Sequence, residues 1–453
     1  MMGWSSDKNA HKLERNTNPR NPAMNSFSLL HPRDQIVATM ERIYGHDMTT
    51  TSGGNVSVRD ETDDTWITPA RIDKGNLRRQ DIVRIGPDGT REGLHPPSSE
   101  NPFHLSIYRA RPDIRAIIHA HPGALVSFSI CGQVPDTRLF PEARNVCGEV
   151  AFAPYALPGS AKLGEKIAEQ FASPSKPNCV VLENHGVVVG GADLEEAFAR
   201  FETLEFTAQT VINARQLGEV RYLTEEQLGL ALGRAELPEK EPRAQTSKGK
   251  EARKEICDFV HRAYAHRLMT STWGSFSARI DEDAFIITPS HVDRAALGVA
   301  DLVVIRDGHR PPGERPSRAV RLHQAIYRAH PTINAVVNAL PIHATAFSVS
   351  EVVLDTRTIP ESYLFLKDVG KIPFAKQYEA GGDIASMIGP DTPVALLDHN
   401  GALVAGRTVL DAFDRLEVLE STAAAIIRSR VLGAISPMSD DVINELVTAF
   451  GAV

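Results

Sequence analysis

The sequence predicts a mixed α/β protein made of two α/β/α sandwich domains, each with a largely antiparallel central sheet. Three observations predict this architecture. The chain has 453 residues, more than one ordinary hydrophobic core accommodates. Within the first half, segments of helical periodicity alternate with short apolar strands. The second half then repeats the first.

The repeat is visible as matching segments at a nearly constant spacing. HLSIYRARPDIRAIIHAHP begins at His104, and HQAIYRAHPTINAVVNALP begins 219 residues later at His323. Further along, FARFETLEFTA begins at Phe198 and FDRLEVLESTA begins at Phe413. A spacing that persists over most of a domain predicts a tandem duplication.

Changes in composition predict the domain boundaries. Residues 1–28 are rich in Asn, Arg, Ser and Pro without an apolar period, which predicts a disordered arm. Residues 233–250 are polar and contain two prolines, which predicts an interdomain linker. The predicted domains are therefore 29–232 and 251–435, and residues 436–453 form a C-terminal tail.

Apolar periodicity predicts the elements of the first copy. A spacing of three and four residues predicts helices, and short runs of apolar residues between turn signals predict strands. In chain order the predicted elements are a helix at 33–46, strands at 55–59 and 65–68, a helix at 102–111, strands at 114–120, 180–182 and 187–189, and an amphipathic helix at 194–217.

Overall composition excludes several classes of function. The formal net charge of −8 argues against nucleic acid as a partner, because phosphate backbones select basic surfaces. The chain has no apolar run of the roughly 20 residues that a membrane helix needs and no secretory signal, so we expect a cytoplasmic protein. The four cysteines form no C-x-x-C pair, which predicts reduced thiols, and Cys131 and Cys179 lie in apolar runs that predict core positions.

Three histidines are candidate metal ligands. His119 and His121 are two residues apart in a predicted strand, so both imidazoles leave the same face of the sheet. His185 lies in a tight turn between two apolar strands and is the best third ligand. Three imidazoles with open positions are typical of a catalytic zinc site. Any one histidine is more often a buried polar group, so the prediction depends on the combination.

Several residues near these histidines have two interpretations. Glu100 is either a carboxylate stabilised at a helix N-terminus or a general acid/base beside the metal. Ser98 and Ser99 are either caps or hydroxyls that bind an anion. The Thr51–Asn55 segment is either a simple turn or a loop that presents N–H groups to phosphate. The remaining candidates are interpreted as structural: His46, His95, His104 and the packing residue Tyr155.

Taken together, these motifs resemble the class II aldolase/adducin family. The resemblance covers about residues 30–225 and, more weakly, residues 251–435. The matching motifs are S-G-G-N-V-S at Ser52–Ser57, I-T-P at Ile67–Pro69, P-S-S-E at Pro97–Glu100, H-A-H-P at His119–Pro122 and E-N-H-G at Glu183–Gly186.

The resemblance implies a fold, an assembly and a set of site residues. It implies an α/β/α domain that assembles around a fourfold axis, with active sites at subunit clefts. It implies that Glu100 is the acid/base and that a substrate phosphate is held by the loop and the double serine. The implied zinc ligands are His119, His121 and His185, and the implied phosphate-binding residues are Gly54, Asn55, Ser98 and Ser99.

One position departs from the family pattern. Arg71 follows I-T-P and Ala70, where the family often has a glycine, so its guanidinium is predicted to grip a carboxylate or phosphate. The leading hypothesis is a zinc-dependent lyase that cleaves or decarboxylates a small hydroxy-carbonyl or sugar-phosphate-like substrate through a metal-stabilised enediolate. Mn²⁺, Co²⁺ or Fe²⁺ are alternative metals. The alternative hypothesis is an adducin-like scaffold without catalysis.

The repeat predicts that the second copy binds no metal. The positions opposite His119, His121, His185 and Glu100 are occupied by Asn338, Leu340, Asn400 and Ala319. Such residues cannot form a zinc site. Residues 251–435 are therefore predicted to pack against the catalytic copy and to lend Glu361 or Tyr363 to a neighbouring cleft. Because the fourfold ring needs four domains, we expect a homo-oligomer, such as a pseudo-fourfold dimer with two active sites.

Overall fold

The structure is a computed structural model that describes residues 27–233, 236–378 and 383–450. All but the last two residues of the predicted N-terminal arm lie outside this range. In the described part of the chain, no helix combines the length and apolar character needed to cross a bilayer.

The first copy has eight strands among its described residues, surrounded by helices. Its helices are α1 (Pro32–Gly45), α2 (Asn101–Ala110), α3 (Gly123–Ile130), α4 (Pro141–Cys147), α5 (Ala161–Phe171), α6 (Leu194–Leu217) and α7 (Glu225–Leu232). Its strands are β1 (Asn55–Arg59), β2 (Thr65–Ile67), β3 (Val83–Ile85), β4 (Arg91–Glu92), β5 (Ala116–Ala120), β6 (Val150–Ala153), β7 (Cys179–Leu182) and β8 (Gly186–Gly191).

The second copy repeats this order with seven strands among its described residues. Its helices are α8 (Ser247–Ala265), α9 (Val320–Ala329), α10 (Ile342–Ser348), α11 (Pro360–Leu366), α12 (Asp383–Met387), α13 (Val409–Ser429) and α14 (Asp440–Phe450). Its strands are β9 (Ser275–Asp281), β10 (Ala284–Ile287), β11 (Val303–Arg306), β12 (Ala335–Ala339), β13 (Gly370–Ile372), β14 (Val394–Leu397) and β15 (Gly401–Gly406).

Apart from the edge strand β4 of the first sheet, the two sheets have the same strand order, and both are almost wholly antiparallel, which confirms the predicted fold class. The first sheet runs β4-β3-β2-β1-β5-β8-β7-β6, and the second runs β11-β10-β9-β12-β15-β14-β13. In each sheet a single pair is parallel: β6 with β7, and β13 with β14.

Alternating side chains bury both faces of the first sheet. On β5, Ile118 packs into the core beneath α1, α3 and α6, whereas Ile117 packs against α2 and α5 on the opposite face. The same alternation on β8 sends Val187 and Val188 to opposite faces. Helices therefore cover the sheet on both sides, as an α/β/α sandwich requires.

One continuous hydrophobic core joins the two copies through the face that carries α6 and α13. Helix α6 was predicted to be amphipathic, and this was wrong. It is buried around most of its surface, including Glu202 and Glu205, because it lies between its own sheet and α10 of the second copy. The sequence of α6 alone gives no sign of its contact with α10.

Four further expectations differ from the structure. Helix α8 begins at Ser247, inside the segment assigned to the linker, and α14 occupies much of the segment assigned to a tail. Cys131 was predicted to lie in the core, but it is exposed because it follows the last residue of α3. Tyr155, interpreted as a packing residue, is also exposed. By contrast, Cys147, Cys179 and Cys257 are buried.

Candidate active site

Strand β5 places His119 on the sheet face that α2 covers. The side chain is fully buried, and its Nδ1 lies 2.9 Å from the carbonyl oxygen of Val187 on the neighbouring strand. A carbonyl only accepts, so Nδ1 donates and carries the proton. The lone pair of a neutral His119 is therefore on Nε2, the nitrogen that points into the site.

His121 and His185 approach His119 from the end of β5 and from the β7–β8 turn. The Nε2 atoms of His119 and His121 are 3.1 Å apart. Asn184 has a φ of 53°, a left-handed conformation that asparagine tolerates, and it turns the chain so that His185 faces the other two rings. One ligand nitrogen from each of the three histidines lies within 4.8 Å of the others.

The carboxylate of Glu100 lies among these imidazoles. Its oxygens are 3.1 Å from Nε2 of His119 and 3.3 Å from Nε2 of His185, and Nδ2 of Asn55 donates to it at 2.8 Å. Burial opposes ionisation of Glu100, but the two histidines and Asn55 outweigh this effect and hold the pKa of the carboxyl well below its usual range. The group is therefore a carboxylate at neutral pH.

The electrostatics also favour the neutral form of two of the three imidazoles. Burial and the neighbouring His119 lower the pKa of His121 to about 3 and the pKa of His185 to about 4. Both rings are neutral near pH 7, which is the form that binds a metal ion. For His119, burial opposes protonation, but the adjacent Glu100 raises the pKa.

A buried hydrogen-bond network behind Glu100 was missed by the sequence analysis. Asn55, which donates to Glu100, also accepts from Nε2 of His104. Nδ1 of His104 is 2.7 Å from Oγ of Ser57, which is 2.7 Å from the hydroxyl of Tyr108. The signal was present: Asn55 and Ser57 are two apart on a strand, and His104 and Tyr108 are four apart on a helix.

The structure places the residues predicted to hold phosphate in different environments. The Asn55 side chain is buried and fully engaged with Glu100 and His104, so it positions the carboxylate. Gly54 has a φ of 68°, and a Cβ there would lie 2.7 Å from the carbonyl oxygen of His119, so a glycine is required for this close approach. Oγ of Ser98 accepts from the backbone N–H of Glu100 at 3.3 Å, whereas Ser99 is exposed.

Arg71 is exposed and has a φ of 57°. It follows Pro69, which pairs with Pro97 beside Ser98, so it lies at the rim of the site rather than within the histidine cluster. A non-glycine residue in this conformation is held at a cost of roughly 1–2 kcal/mol. The structure thus retains a strained arginine where a glycine would be relaxed.

Lys74 was also missed. Its ammonium group is buried and donates to the carbonyl oxygen of Pro69 at 2.6 Å, while its backbone N–H donates to Thr51. Burial lowers the pKa of Lys74 to about 8. The lysine therefore connects the I-T-P segment to the loop before β1. Arg294 makes the corresponding contact to Pro289 in the second copy.

The second copy keeps the scaffold of this site without the three histidines. Nδ2 of Asn400 donates to Gln377 at 3.1 Å, Leu340 is buried in the core, and Asn338 bonds to Nε2 of His323 at 2.7 Å. In the described ranges, His119, His121 and His185 are the one group of three such side chains close enough to share a metal ion.

Comparison with known proteins identifies the class of this chain. The sequence profile of the family described as Class II Aldolase and Adducin N-terminal domain matches residues 34–212 and again residues 254–427. The chain therefore belongs to the class II aldolase and adducin family, and it contains the family domain twice.

Individual relatives each correspond to one copy. An L-fuculose phosphate aldolase from Methanocaldococcus jannaschii is 35% identical over 183 residues, which are 40% of this chain and 96% of that protein. A 3-oxo-tetronate 4-phosphate decarboxylase from Haemophilus influenzae is 30% identical over 43% of this chain and 93% of its own length. The solved structure of an L-fuculose 1-phosphate aldolase is 30% identical in sequence and superposes with a TM-score of 0.40. The matched region is 44% of this chain and 93% of the aldolase chain.

The family match and the two sequence relatives support an enzyme of the class II aldolase type within the lyases. Class II aldolases are generally metal-dependent, and the histidine cluster is compact enough to bind a metal ion. A small-molecule substrate is consistent with this class.

Proposed function

We propose that this protein is a metal-dependent lyase that cleaves a carbon–carbon bond in a small hydroxy-carbonyl compound bearing an anionic group. The observation that carries the proposal is the convergence of His119, His121 and His185 on the carboxylate of Glu100. Residues 29–232 are the catalytic domain, and residues 251–435 are a copy without metal ligands.

The three imidazoles fit a divalent transition metal. Nε2 of His119 and Nε2 of His121 face each other at 3.1 Å, and the tautomer of His119 is fixed by Val187. Three imidazole donors favour zinc, with Mn²⁺, Co²⁺ and Fe²⁺ as alternatives. When bound, such a cation acts as a Lewis acid that polarises a substrate carbonyl and favours the enediolate left by carbon–carbon cleavage.

The side chains around the cluster provide the proton transfer and the substrate contacts. Glu100 exchanges a proton with the reacting carbon or hydroxyl, and Asn55 holds its carboxylate in place through the bond to Nδ2. Gly54, Ser98 and Ser99 offer N–H and hydroxyl groups to the anionic end of the substrate. Arg71 supplies a cation to the same end from the rim.

The relatives define the reactions to test. Their names include a fuculose phosphate aldolase and a 3-oxo-tetronate 4-phosphate decarboxylase, and both reactions break the bond between the α and β carbons of a carbonyl compound, which leaves an enolate. We therefore propose a phosphorylated ketose or a 3-oxo-acid phosphate as the substrate class, with aldol cleavage and decarboxylation as the two forms of the reaction.

The test is a screen of the metal-loaded protein against ketose 1-phosphates and 3-oxo-acid phosphates. Aldehyde release and carbon dioxide release are followed separately, and E100Q protein with the same metal content is the control. We expect turnover of one substrate class that E100Q largely loses. Full metal occupancy with no cleavage of either class would contradict the proposal.

The adducin-like scaffold makes a different prediction about metal. It predicts a purified protein without stoichiometric transition metal, to which metal cannot be restored. Elemental analysis before and after incubation with zinc separates the two hypotheses.

A further inference from the structure

A cavity lies in the second copy between the start of α13, the end of α11 and the segment that joins α12 to β14. About 60 Å³ of it is available to the centres of water molecules. One water needs roughly 10–15 Å³ of such space, so the cavity has room for several waters or for an ion of the size of phosphate. The charged residues that line it are Lys367, Arg407, Asp411 and Arg415.

The ion pair between Arg415 and Asp411 has a counterpart in the first copy. Nε of Arg415 donates to a carbonyl oxygen of α11 at 3.2 Å, and Nε of Arg200 donates to a carbonyl oxygen of α4 at 3.1 Å. Arg200 is likewise paired with a carboxylate one turn earlier, that of Glu196. This ion pair therefore belongs to the scaffold that both copies share.

The other two cations have no charged counterpart. Arg407 stands where the first copy has Ala192, and both backbone N–H groups donate to the carboxylate of the shared ion pair, at 2.7 and 2.6 Å. Lys367 stands where the first copy has Gly148, and both carbonyl oxygens accept from a threonine hydroxyl, at 2.8 and 2.6 Å. Three cations less one carboxylate give these positions a net charge of +2, whereas one cation less one carboxylate gives zero in the first copy.

The shorter carboxylate of Asp411 also changes the shared arginine. Glu196 is paired with Nη2 of Arg200 at 2.7 Å, whereas Asp411 is paired with Nη1 of Arg415 at 2.6 Å. Among the residues that the structure describes, Nη2 of Arg415 has no hydrogen-bond partner. The guanidinium therefore has N–H groups available for an oxyanion.

Lys367 is held in a backbone conformation that opposes a side chain. Its φ and ψ are 56° and −139°, and those of Gly148 are 66° and −146°. Glycine adopts this conformation freely, whereas a β-carbon is crowded in it, and such strained residues are concentrated at functional sites. Within the described ranges, neither Lys367 nor Arg407 forms an ion pair. The second copy thus keeps a strained, unpaired lysine where a glycine would be relaxed.

The space beside these cations arises where the first copy has a larger network. Arg111 binds Asp113 through two hydrogen bonds of 2.7 and 2.8 Å and also donates to backbone carbonyls before β7. The counterparts are His330 and Thr332. Nε2 of His330 donates to a carbonyl oxygen of α12 at 2.6 Å, and Thr332 lines the cavity. Shorter side chains therefore leave room for a ligand.

We infer that the second copy binds a phosphate group in this cavity through Lys367, Arg407 and Arg415. A doubly charged oxyanion matches the net charge of +2, and arginine and lysine are the side chains that bind phosphate oxygens. Inorganic phosphate and the phosphoryl end of a small organic phosphate share this chemistry. The site involves neither the three histidines nor the reaction proposed above.

The experiment compares the wild type with a K367G/R407A double variant. Each substitution introduces the residue that the first copy has at that position, and glycine relaxes the positive φ of Lys367, so the variant should fold normally. Arg415 is left intact because its bonds to α11 and β15 hold the scaffold. K250A is the matched control, because Lys250 is an exposed lysine of α8 that does not line the cavity.

Titration calorimetry at constant ionic strength measures the binding of inorganic phosphate and of glycerol 3-phosphate, which has no carbonyl group to cleave. We expect the double variant to bind at least tenfold more weakly than the wild type, and K250A to bind as the wild type does. R71G should keep the binding that the double variant loses, which separates this cavity from the residues proposed to hold the substrate. Hydrogen exchange should slow on ligand addition in residues 364–368 and 405–411 of the wild type, and not in the double variant.

The outcomes separate the two sources of phosphate. Binding of both ligands supports a site for which the phosphate group is sufficient, and binding of glycerol 3-phosphate alone supports a site for an organic phosphate. Equal affinity in the wild type and the double variant, or binding of neither ligand, overturns the inference. Protein that binds phosphate in this cavity but cleaves no substrate would contradict the proposed function alone.

Discussion

The two copies differ where chemistry is expected and agree where the fold is made. In both, a His–Ser–Tyr network is buried beneath the sheet: His104 with Ser57 and Tyr108, and His323 with Ser277 and Tyr327, all at 2.7 Å. The network persists in the copy that has other residues at the positions of the three histidines. Its role is therefore to hold the strand and helix together, and it is not by itself a sign of catalysis.

A second shared feature is a glutamate on the long helix of each copy, α6 or α13. Its carboxylate caps the short helix, α3 or α10, that follows the H-x-H strand or its counterpart. Glu205 accepts from the N–H groups of Ala124 and Leu125, and Glu420 accepts from those of His343 and Ala344. These N–H groups would otherwise lack partners at the start of α3 and α10. The two copies therefore share these hydrogen bonds, although the residues at the histidine positions differ.

The main difference lies in the loop before the first strand of each sheet. A Cβ at Gly53 would lie 2.9 Å from Nδ1 of His121, so a glycine leaves room for that imidazole. The second copy has Trp273 at this position and Leu340 in place of the histidine, and the indole packs on Phe140 of the first copy. In the second copy this cleft is therefore an interdomain contact.

The largest expected effect comes from substituting the three histidines of the first copy, with the amides at matching positions of the second copy as the control. We expect H119A, H121A and H185A each to lose metal and activity, because two imidazoles do not complete the site. N338A and N400A, at the matching positions, should keep one metal per chain. Elemental analysis gives the stoichiometry. Full metal occupancy in any histidine variant would remove that histidine from the metal site. Two metals per chain in the wild type would refute the prediction that the second copy binds no metal.

A smaller but still large effect is expected for E100Q. The amide keeps the shape of the side chain but cannot exchange a proton, so kcat should fall by about 10²–10⁴-fold while metal remains bound. Steady-state kinetics and elemental analysis are measured on the same preparation. Loss of metal in parallel with activity would instead make Glu100 a ligand.

Arg71 should affect substrate binding more than turnover. A lost charge-assisted hydrogen bond corresponds to about 1.5–3 kcal/mol, so R71G should raise KM by about 10–100-fold with a modest change in kcat. Because glycine relaxes the positive φ, the variant should unfold no more easily than the wild type. H291G is the matched control in the second copy and should leave KM unchanged. An unchanged KM in R71G would remove the arginine from the substrate site.

The smallest effect concerns the shared buried network. Y108F and Y327F each remove one hydroxyl that bonds to a serine, and both should lower the free energy of unfolding by about 1 kcal/mol. Chemical denaturation measures the two variants side by side, with kinetics as the second readout. A large loss of kcat in Y108F without loss of stability would show that the network serves catalysis in the first copy.

The sequence was most informative where periodicity decides structure. Helix α6 has the predicted bounds, and the alternation on β5 correctly brings the H-x-H pair to one end of a strand. The three-dimensional meeting of Glu100, His119 and His185 followed from the family motifs rather than from spacing. The ligand set itself stays a prediction until metal is measured.

The errors have a common cause, which is that neighbours in space are not neighbours in sequence. Nothing local indicates that α6 is covered by another copy or that Cys131 follows the end of α3. Helix α14 was missed because little of its sequence resembles α7, yet Met438 donates to Arg357 as Leu223 donates to Arg138. The repeat therefore continues beyond residue 435, into the segment predicted to be a tail.

The short connection between the copies has a consequence for behaviour on dilution. The backbone of Lys240 donates to Arg310, and Glu239 forms a 2.7 Å ion pair with the same arginine, so the connection is attached to the second copy. A tether of this kind gives the joined surfaces an effective concentration on the order of millimolar. The contacts between the two copies of one chain therefore persist at any protein concentration. Dilution leaves the two domains paired, with the cleft of the second copy covered by the first copy.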